Sequence, residues 1–213
     1  MSNPFIRIIP RLEIKENFVV KGYQYEGVQK IDFPEKLALK YYQENADEII
    51  FIDTVASLYG RNTLNDVIKK VAKEIFIPLT VGGGIKKISD INKLLTIGAD
   101  KVAINTHAIH DNNFLREACR EFGSQCIVLS VQAKKNNVDN IYYSLTDNAR
   151  ENPNLRVDEW IKKAQDLGVG EILLSSVDQD GTKLGFDKEL YAKISEIAEV
   201  PLIAHGGAGT TDH

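Results

Sequence analysis

Two glycine-rich segments are the strongest local signal for chemistry in this sequence. VGGG and HGGAG each follow a short apolar run. A bound phosphate needs several backbone N–H groups aimed at one point, and glycine lets the backbone approach that closely. A single glycine-rich segment would be equally typical of a tight turn that binds nothing. These two segments, however, occupy equivalent places in an internal repeat. We therefore expect Gly83 and Gly84 to bind one phosphate and Gly206 and Gly207 to bind a second.

Polar residues beside these segments complete the predicted phosphate sites. Asn105 and Thr106 end another apolar run and offer side-chain donors to the first phosphate. Asp180 and Gly181 are expected in the wall near the second phosphate. The sequence therefore predicts a ligand with two phosphates, held at opposite sides of one site.

Glu13 and Gln132 occupy related positions in the repeat, each at the end of an apolar run. Two carboxylates facing each other there would act as general acid and base. Glu13 keeps that capacity, although it is also explained as a rim carboxylate paired with Lys15 or Lys21. Gln132 only donates and accepts hydrogen bonds at neutral pH. The pair is thus predicted to be degenerate.

The histidines and the tryptophan are assigned mainly structural positions. His205 stands alone before the second glycine segment, without neighbours in a metal-ligand spacing. His107 and His110 are predicted on the surface, and Trp160 in the core on one face of an amphipathic helix. No sequence motif predicts a metal site or an organic cofactor.

Composition narrows the functional classes further. The chain has 213 residues and a net charge of −4, which gives no support to binding of nucleic acid or an anionic membrane. Cys119 and Cys126 form no metal-ligand spacing and no disulfide framework, so reduced thiols and a cytoplasmic location are expected. No apolar run predicts a signal peptide or a membrane span.

The elements that must position these residues alternate along the chain. Seven short runs rich in Ile, Val and Leu are typical of strands buried in a parallel sheet, and six helical patterns separate them. The runs are FIRIIP, EIIFID, IPLTV, KVAIN, CIVLSV, EILLSS and VPLIAH. Alternation of this kind indicates an α/β fold.

An internal repeat identifies the kind of α/β fold. Pro78 and Gly83 recur as Pro201 and Gly206, both at a spacing of 123 residues. Strands 1, 2 and 3 therefore recur as strands 5, 6 and 7, which predicts a (β/α)8 TIM barrel made of two half-barrels. Because such a barrel needs about 250 residues, we expect strand 8 and its flanking helices to be missing from one incomplete domain, residues 1–213. An open barrel would expose two strand edges.

These motifs together resemble one family, the cyclase subunit of imidazole glycerol phosphate synthase. The matching stretches are RIIPRLEIK, VVKG, ADEIIFID, IPLTVGGGI, GADKVAINT, FGSQCIV, GEILLSSVDQDGTKLGFD and HGGAG. The resemblance implies a barrel that takes ammonia from a separate glutaminase and adds it to a ribulosyl substrate carrying two phosphates. It also implies two catalytic aspartates, at the ends of strands 1 and 5.

The family's residues carry over selectively. The two aspartates correspond to Glu13 and Gln132, and the serine before the second glycine pair corresponds to His205. The positions that match the family's substrate-binding pattern are Lys21, Asp53, Asn105, Thr106, Asp178 and Asp180.

A second set of matching residues lies at strand starts, away from the expected chemistry. Arg7, Glu48, Lys101 and Glu171 correspond to the family's charged ammonia gate at the bottom of the barrel. They are equally explained as an ion-pair ring that stabilises the barrel.

Three functions fit this pattern. The first is a cyclase with an altered acid–base pair. The second is a paralogue that delivers ammonia to another acceptor, for example in acetamidino-sugar synthesis for surface polysaccharide. The third is a non-catalytic subunit that docks a glutaminase.

Overall fold

The structure is a computed structural model that describes residues 6–55 and 64–213. Six of the seven predicted strands lie at the expected runs. The first strand begins at Arg11, after FIRIIP, whose described residues 6–10 form no strand, and three further strands lie between the predicted ones. In chain order the strands are β1 (Arg11–Lys15), β2 (Phe18–Tyr23), β3 (Glu26–Asp32), β4 (Ile49–Asp53), β5 (Leu79–Gly82), β6 (Lys101–Ile104), β7 (Ile127–Lys135), β8 (Tyr142–Leu145), β9 (Glu171–Ser176) and β10 (Leu202–His205).

The predicted strands form one parallel sheet in the order β1-β4-β5-β6-β7-β9-β10. The three additional strands are antiparallel: β2 pairs with β1, β3 with β2, and β8 with β7. They extend two of the loops at the carboxyl ends of parallel strands, which is where barrels of this type carry their sites.

Helices cover the outside of the sheet. They are α1 (Pro34–Gln43), α2 (Asn65–Val71), α3 (Ile88–Thr96), α4 (Thr106–His110), α5 (Asn112–Phe122), α6 (Val157–Leu167) and α7 (Lys188–Ser195). Asp111 and Asp187 accept hydrogen bonds from backbone N–H groups and thereby fix the starts of α5 and α7. None of the helices in the described ranges is long and apolar enough to cross a membrane.

Successive side chains of each strand point to opposite faces of the sheet. The apolar residues therefore form two cores, an outer one between the sheet and the helices and an inner one inside the barrel. Ile49 and Phe51 pack outward into the large cluster shared with the helices, whereas Ile50 and Ile52 pack inward. The inner cluster also contains Ala103, Val128 and Leu173, with the partly buried Ile9 and Ile203 against it. Trp160 is 1% exposed within the outer core, as its helical pattern predicts.

The barrel is open between β10 and β1, because no backbone pairing joins these two strands in the described ranges. Of the two strand edges at this opening, only that of β10 is exposed. β2 pairs with β1 from Glu13 to Lys15 and covers the edge of β1, which corrects the prediction of two exposed edges. On β10, Ile203 is only half-buried and Ala204 is exposed.

Candidate functional site

Strand β1 directs two charged side chains into the barrel. Leu12 and Ile14 pack outward, so Arg11 and Glu13 point inward by the two-residue period of a strand. Glu13 is 5% exposed, and the side chain of Arg11 is 2% exposed. Arg11 Nη2 lies 3.2 Å from Glu13 Oε1. A buried cation thus holds the carboxylate that the sequence singled out.

Lys21 brings a second carboxylate to the same place. Its Nζ donates to Asp180 Oδ1 at 2.6 Å and lies 3.4 Å from Glu13 Oε2. Asp180 is 1% exposed, and its other oxygen, Oδ2, is buried without a hydrogen-bond partner in the described structure. Burial, and then the charge of Glu13, raise the pKa of Asp180, while Lys21 and Arg11 oppose that rise. Glu13 and Asp180 therefore form one carboxyl pair around Lys21.

His205 joins this cluster from β10. Its Nδ1 lies 2.8 Å from Arg11 Nη1 and 3.2 Å from Ser175 Oγ, and its Nε2 lies 3.8 Å from Asp180 Oδ1. Burial and the charges of Arg11 and Lys21 hold the pKa of His205 well below its usual value. A neutral imidazole that accepts from Arg11 through Nδ1 carries its proton on Nε2, directed towards Asp180.

The tip of the β2–β3 hairpin closes over the cluster. Gln24 donates from its backbone to Asp180 O and from Nε2 to Asp178 O, both at 2.8 Å. Arg11 Nη1 donates to the Tyr25 hydroxyl at 3.0 Å. A Cβ on Gly181 would lie 2.4 Å from the carbonyl oxygen of Gly22, so the hairpin approaches this loop only because residue 181 is glycine.

Gln132 lies at the mouth on the other side of the barrel, where it binds backbone. Its Oε1 accepts from Ala149 N at 2.8 Å. Thr106 Oγ1 accepts from Asp147 N at 2.9 Å, and Asn105 Nδ2 donates to Leu145 O at 3.0 Å. Three side chains predicted to act on a ligand therefore also hold the end of β8 and the segment that follows it.

That segment has an unusual backbone. Residues 147–149, here termed the left-handed loop, have φ values of 49°, 59° and 64°, although none of them is glycine. Left-handed backbone is unfavourable for L-residues, so the loop needs external hydrogen bonds to persist. Gln132 and Thr106 supply two of them.

A cavity of about 60 Å³ lies beside the first glycine segment. A Cβ on Gly83, at φ +106°, would lie 2.3 Å from the Asp53 carbonyl oxygen, so this close turn requires glycine. The lining brings together predicted site residues from four strand ends, together with His107 and Asn148, which the sequence had not placed here. The polar and glycine lining residues are Asp53, Thr54, Gly83, Gly84, Lys86, Asn105, Thr106, His107, Ser130, Gln132 and Asn148.

The second glycine segment follows β10 and packs on the loop after β9. Gly206 and Gly207 are buried, and the carbonyl of Gly207 accepts from Gly185 N at 2.8 Å. Asp180 N in turn donates to Ser176 O at 3.0 Å. The second predicted phosphate neighbourhood is therefore contiguous with the carboxyl pair.

Four residues form a closed ring of ion pairs at the opposite end of the barrel. Arg7 binds both Glu48 and Glu171, and Lys101 Nζ lies 2.8 Å from Glu48 Oε2 and 2.9 Å from Glu171 Oε2. The hydrogen bond to Glu171 is the largest influence raising the pKa of Arg7. Burial alone would lower the pKa of Lys101, but its bonds to Glu48 and Glu171 raise it above the usual value. We call this set the gate ring.

Three side chains in the mouth could in principle ligate a cation. One ligand atom from each of Glu13, Asp180 and His205 lies within 4.8 Å of the others. However, Lys21 and Arg11 already neutralise the two carboxylates at the distances given above, and Nδ1 of His205 faces Arg11. The arrangement is that of an ion-pair network, so it does not fit a divalent metal unless Lys21 moves away.

The thiols lie away from the mouth. Both are free: Cys119 is buried, where burial raises its pKa to about 11, and Cys126 is partly exposed.

Comparison with known proteins agrees with this geometry. The histidine biosynthesis protein family matches residues 7–213. Imidazole glycerol phosphate synthase subunit HisF of Legionella pneumophila is 47% identical over 209 residues, which cover 98% of this chain and 97% of that protein. The subunits of the same name from Hydrogenobaculum sp. (strain Y04AAS1) and Campylobacter concisus (strain 13826) are each 46% identical over 207 residues, covering 97% of this chain and 82% and 81% of theirs. The chain therefore belongs to the histidine biosynthesis protein family, among the HisF subunits of imidazole glycerol phosphate synthase.

Proposed function

We propose that the chain is an ammonia-using cyclase subunit of the imidazole glycerol phosphate synthase type. The observation that carries this is the position of Glu13, buried inside the mouth and fixed by Arg11 and Lys21, in a barrel whose opposite end holds the gate ring. The reaction joins ammonia to a ribulosyl substrate with two phosphates, closes the imidazole ring and releases an aminoimidazole product.

The first phosphate binds beside Gly83 and Gly84. There, Thr106 accepts one hydrogen bond from the left-handed loop, which leaves its hydroxyl hydrogen for a phosphate oxygen. The backbone of Asp53 packs closely against Gly83 in this turn. The second phosphate binds near Gly206, Gly207 and Gly181, so that the reacting centre of the substrate lies between the two, over Glu13 and Lys21.

Ammonia comes from a separate glutaminase subunit that docks at the gate-ring end. Two features of the described residues support this. The gate ring surrounds the entrance with paired charges, and Ile6 and Phe76, which flank strands at the same end, are both 81% exposed. Exposed apolar side chains around a polar centre are typical of a protein interface. Arg7 and Lys101 are each bonded to two carboxylates, so replacing either cation would change the charge around the whole entrance.

A second candidate function is supported by one specific observation. Gln132 cannot act as an acid or base, and its Oε1 is bonded to Ala149 N. This barrel keeps the gate ring but lacks an acid–base residue at position 132 in the mouth. That combination is what we expect of a protein that delivers ammonia to a different acceptor. A role confined to docking and activating a glutaminase is the third candidate.

One assay separates these functions. The full-length chain is incubated with an ammonium salt and the ribulosyl substrate, and release of the aminoimidazole product is followed by absorbance. We expect measurable turnover; no turnover by the wild type or by the Glu13→Asp, Gln132→Asp double variant would overturn the cyclase assignment. Glutamine hydrolysis by the cognate glutaminase, measured with and without this chain, tests docking independently.

A further inference from the structure

We propose that Asp180 is the second acid–base group of this site, and that it forms with Glu13, around Lys21, the carboxyl pair in which Gln132 cannot take part. This inference rests on the proposed cyclase function and assigns its proton-transfer residues. It places the pair across the open side of the barrel, since Asp180 follows β9, Glu13 lies on β1, and β10 lies between β9 and the opening.

The first support is the shared cation. Lys21 Nζ lies 2.6 Å from Asp180 Oδ1 and 3.4 Å from Glu13 Oε2, so one ammonium group connects the two carboxyl groups. The side chain of Lys21 is 35% exposed, whereas Glu13 and Asp180 are buried. Lys21 thus gives the buried pair its contact with the open part of the mouth. A proton passing between the carboxyl groups has a continuous path through its N–H groups.

The second support is an unused ligand atom. Asp180 Oδ2 is buried and has no hydrogen-bond partner among the described residues. A buried carboxyl oxygen without a partner is costly unless the group is protonated or a ligand completes it. Asp180 therefore has the capacity to present a proton or accept one at that atom.

The third support is the difference between the two environments. Burial and the neighbouring Glu13 raise the pKa of Asp180, which favours its protonated form. Glu13 instead has a cation within ion-pair distance of each oxygen, Arg11 at 3.2 Å from Oε1 and Lys21 at 3.4 Å from Oε2, although Oε1 also makes no hydrogen bond among the described residues. Asp180 is therefore suited to act as the acid, and Glu13, between two cations, as the base. The charged or titratable groups that face the pair are Arg11, Lys21, Tyr25 and His205.

The proton balance of the reaction suits such a pair. Ammonia first adds to the ribulosyl carbonyl carbon, where a C–N bond replaces the C=O bond and the oxygen leaves as water. When the new nitrogen then attacks the formimino carbon that carries the aminoimidazole, a second C–N bond forms and this nitrogen loses a proton, which Glu13 takes. When the aminoimidazole leaves, a C–N bond breaks and the departing nitrogen must gain a proton, which Asp180 gives. Transfer through Lys21 then returns the proton from Glu13 to Asp180. No oxidant, reductant or further reactant is needed.

The kinetic test compares three variants of the full-length chain with ammonium as nitrogen donor. Asp180→Asn should lower kcat by about 10²- to 10⁴-fold, the usual cost of losing a general acid or base. KM should change little, and one limb of the kcat–pH profile should disappear. Asp180→Glu should recover part of kcat, because it restores the carboxyl group. Asp158→Asn is the control: Asp158 lies on α6, outside the barrel mouth, and its side chain is 42% exposed and paired with Arg156, so kcat should be retained.

Two results would overturn the assignment. One is an Asp180→Asn variant that keeps kcat and its pH profile while KM rises, which would make Asp180 a binding residue only. The other comes from a measurement that needs no turnover: carboxyl ¹³C resonances of Asp180 are titrated in the wild type and in Glu13→Gln. We expect a raised titration that falls when Glu13 loses its charge, and a titration indifferent to Glu13 would refute the pair. If neither the wild type nor the Glu13→Asp, Gln132→Asp variant turns over, the proposed function is refuted instead, and the titration would still decide on the pair.

Discussion

Arg11 Nη1 lies 2.8 Å from His205 Nδ1, and this contact joins β1 to β10 across the side of the barrel where the described backbone makes no strand pairing. The same guanidinium donates to Ser175 on β9 at 3.0 Å. At the other end, Arg7 reaches Glu171 over the same opening. Side chains therefore close the sheet where hydrogen-bonded strands do not.

Replacement of Arg11 by Met tests how much this closure stabilises the fold. In this variant Glu13 keeps only Lys21 as a cationic partner, and the contact between residue 11 and His205 is lost. We expect a loss of about 3–5 kcal/mol in the free energy of unfolding, since one partner of a buried ion pair is removed. Urea unfolding measures it.

The matched control is Arg156→Met. Arg156 pairs with Asp158, but their side chains are 43% and 42% exposed, so the loss of stability should be far smaller than in Arg11→Met. Equal losses in the two variants would show that Arg11 contributes no more than a surface arginine.

His205 should make the stability depend on pH in the acid range. Its pKa is lowered by burial and by Arg11 and Lys21, so the folded state binds fewer protons than the unfolded state below about pH 6.5. The stabilisation is present above that pH and is lost as the pH falls towards the lowered value, by at most about 1.4 kcal/mol per pH unit. The measurement is the urea midpoint of wild type and His205→Gln from pH 7.5 to 4.5. The difference between them should shrink on acidification, whereas the exposed His110→Gln should follow the wild type throughout.

Much of the fold was predictable because parallel strands buried on both faces leave a plain apolar signal. EIIFID and EILLSS became β4 and β9 at the expected places. The hairpin β2–β3 was missed, since all but the last residue of β3 is exposed and its sequence carries no apolar alternation. β8 was missed because Tyr142 to Leu145 looked like part of a long polar loop.

The left-handed loop offers a test of stored backbone strain. Ala149 has φ 64°, so Ala149→Gly should stabilise the folded state by up to about 1 kcal/mol despite the added freedom of the unfolded chain. The hydrogen bond from residue 149 to Gln132 uses backbone N–H and is retained. Ala192→Gly, at an exposed position inside α7, should instead cost about 1 kcal/mol. Thermal unfolding of both variants checks the opposite signs, and a destabilised Ala149→Gly would mean that its methyl group packs.

The sequence predicted which residues would lie at the strand ends in the mouth, but not their partners. Arg11 was overlooked although it lies two residues before Glu13, hence on the same strand face, and the period that placed Glu13 inward places Arg11 inward as well. The contacts of Gln132 with residue 149 and of Lys21 with Asp180 join positions far apart in sequence, at loop conformations that no local pattern specifies. His107 was assigned to the surface, but it lines the cavity beside Gly83.

Lys101→Met tests whether the gate ring does more than stabilise the barrel. Lys101 is bonded to both Glu48 and Glu171, so its loss leaves two buried carboxylates sharing Arg7, at a cost on the order of 3 kcal/mol. Lys70→Met removes an exposed pair with Glu35 and should cost about 1 kcal/mol or less. If the ring only stabilises the fold, turnover with glutamine plus glutaminase and turnover with ammonium salt should fall in the same proportion. If ammonia enters through the ring, the glutamine-driven rate should fall further than the ammonium-driven rate in Lys101→Met, and the ratio of the two rates should stay unchanged in Lys70→Met. The ratio decides because it cancels any loss of folded protein, which affects both nitrogen sources equally.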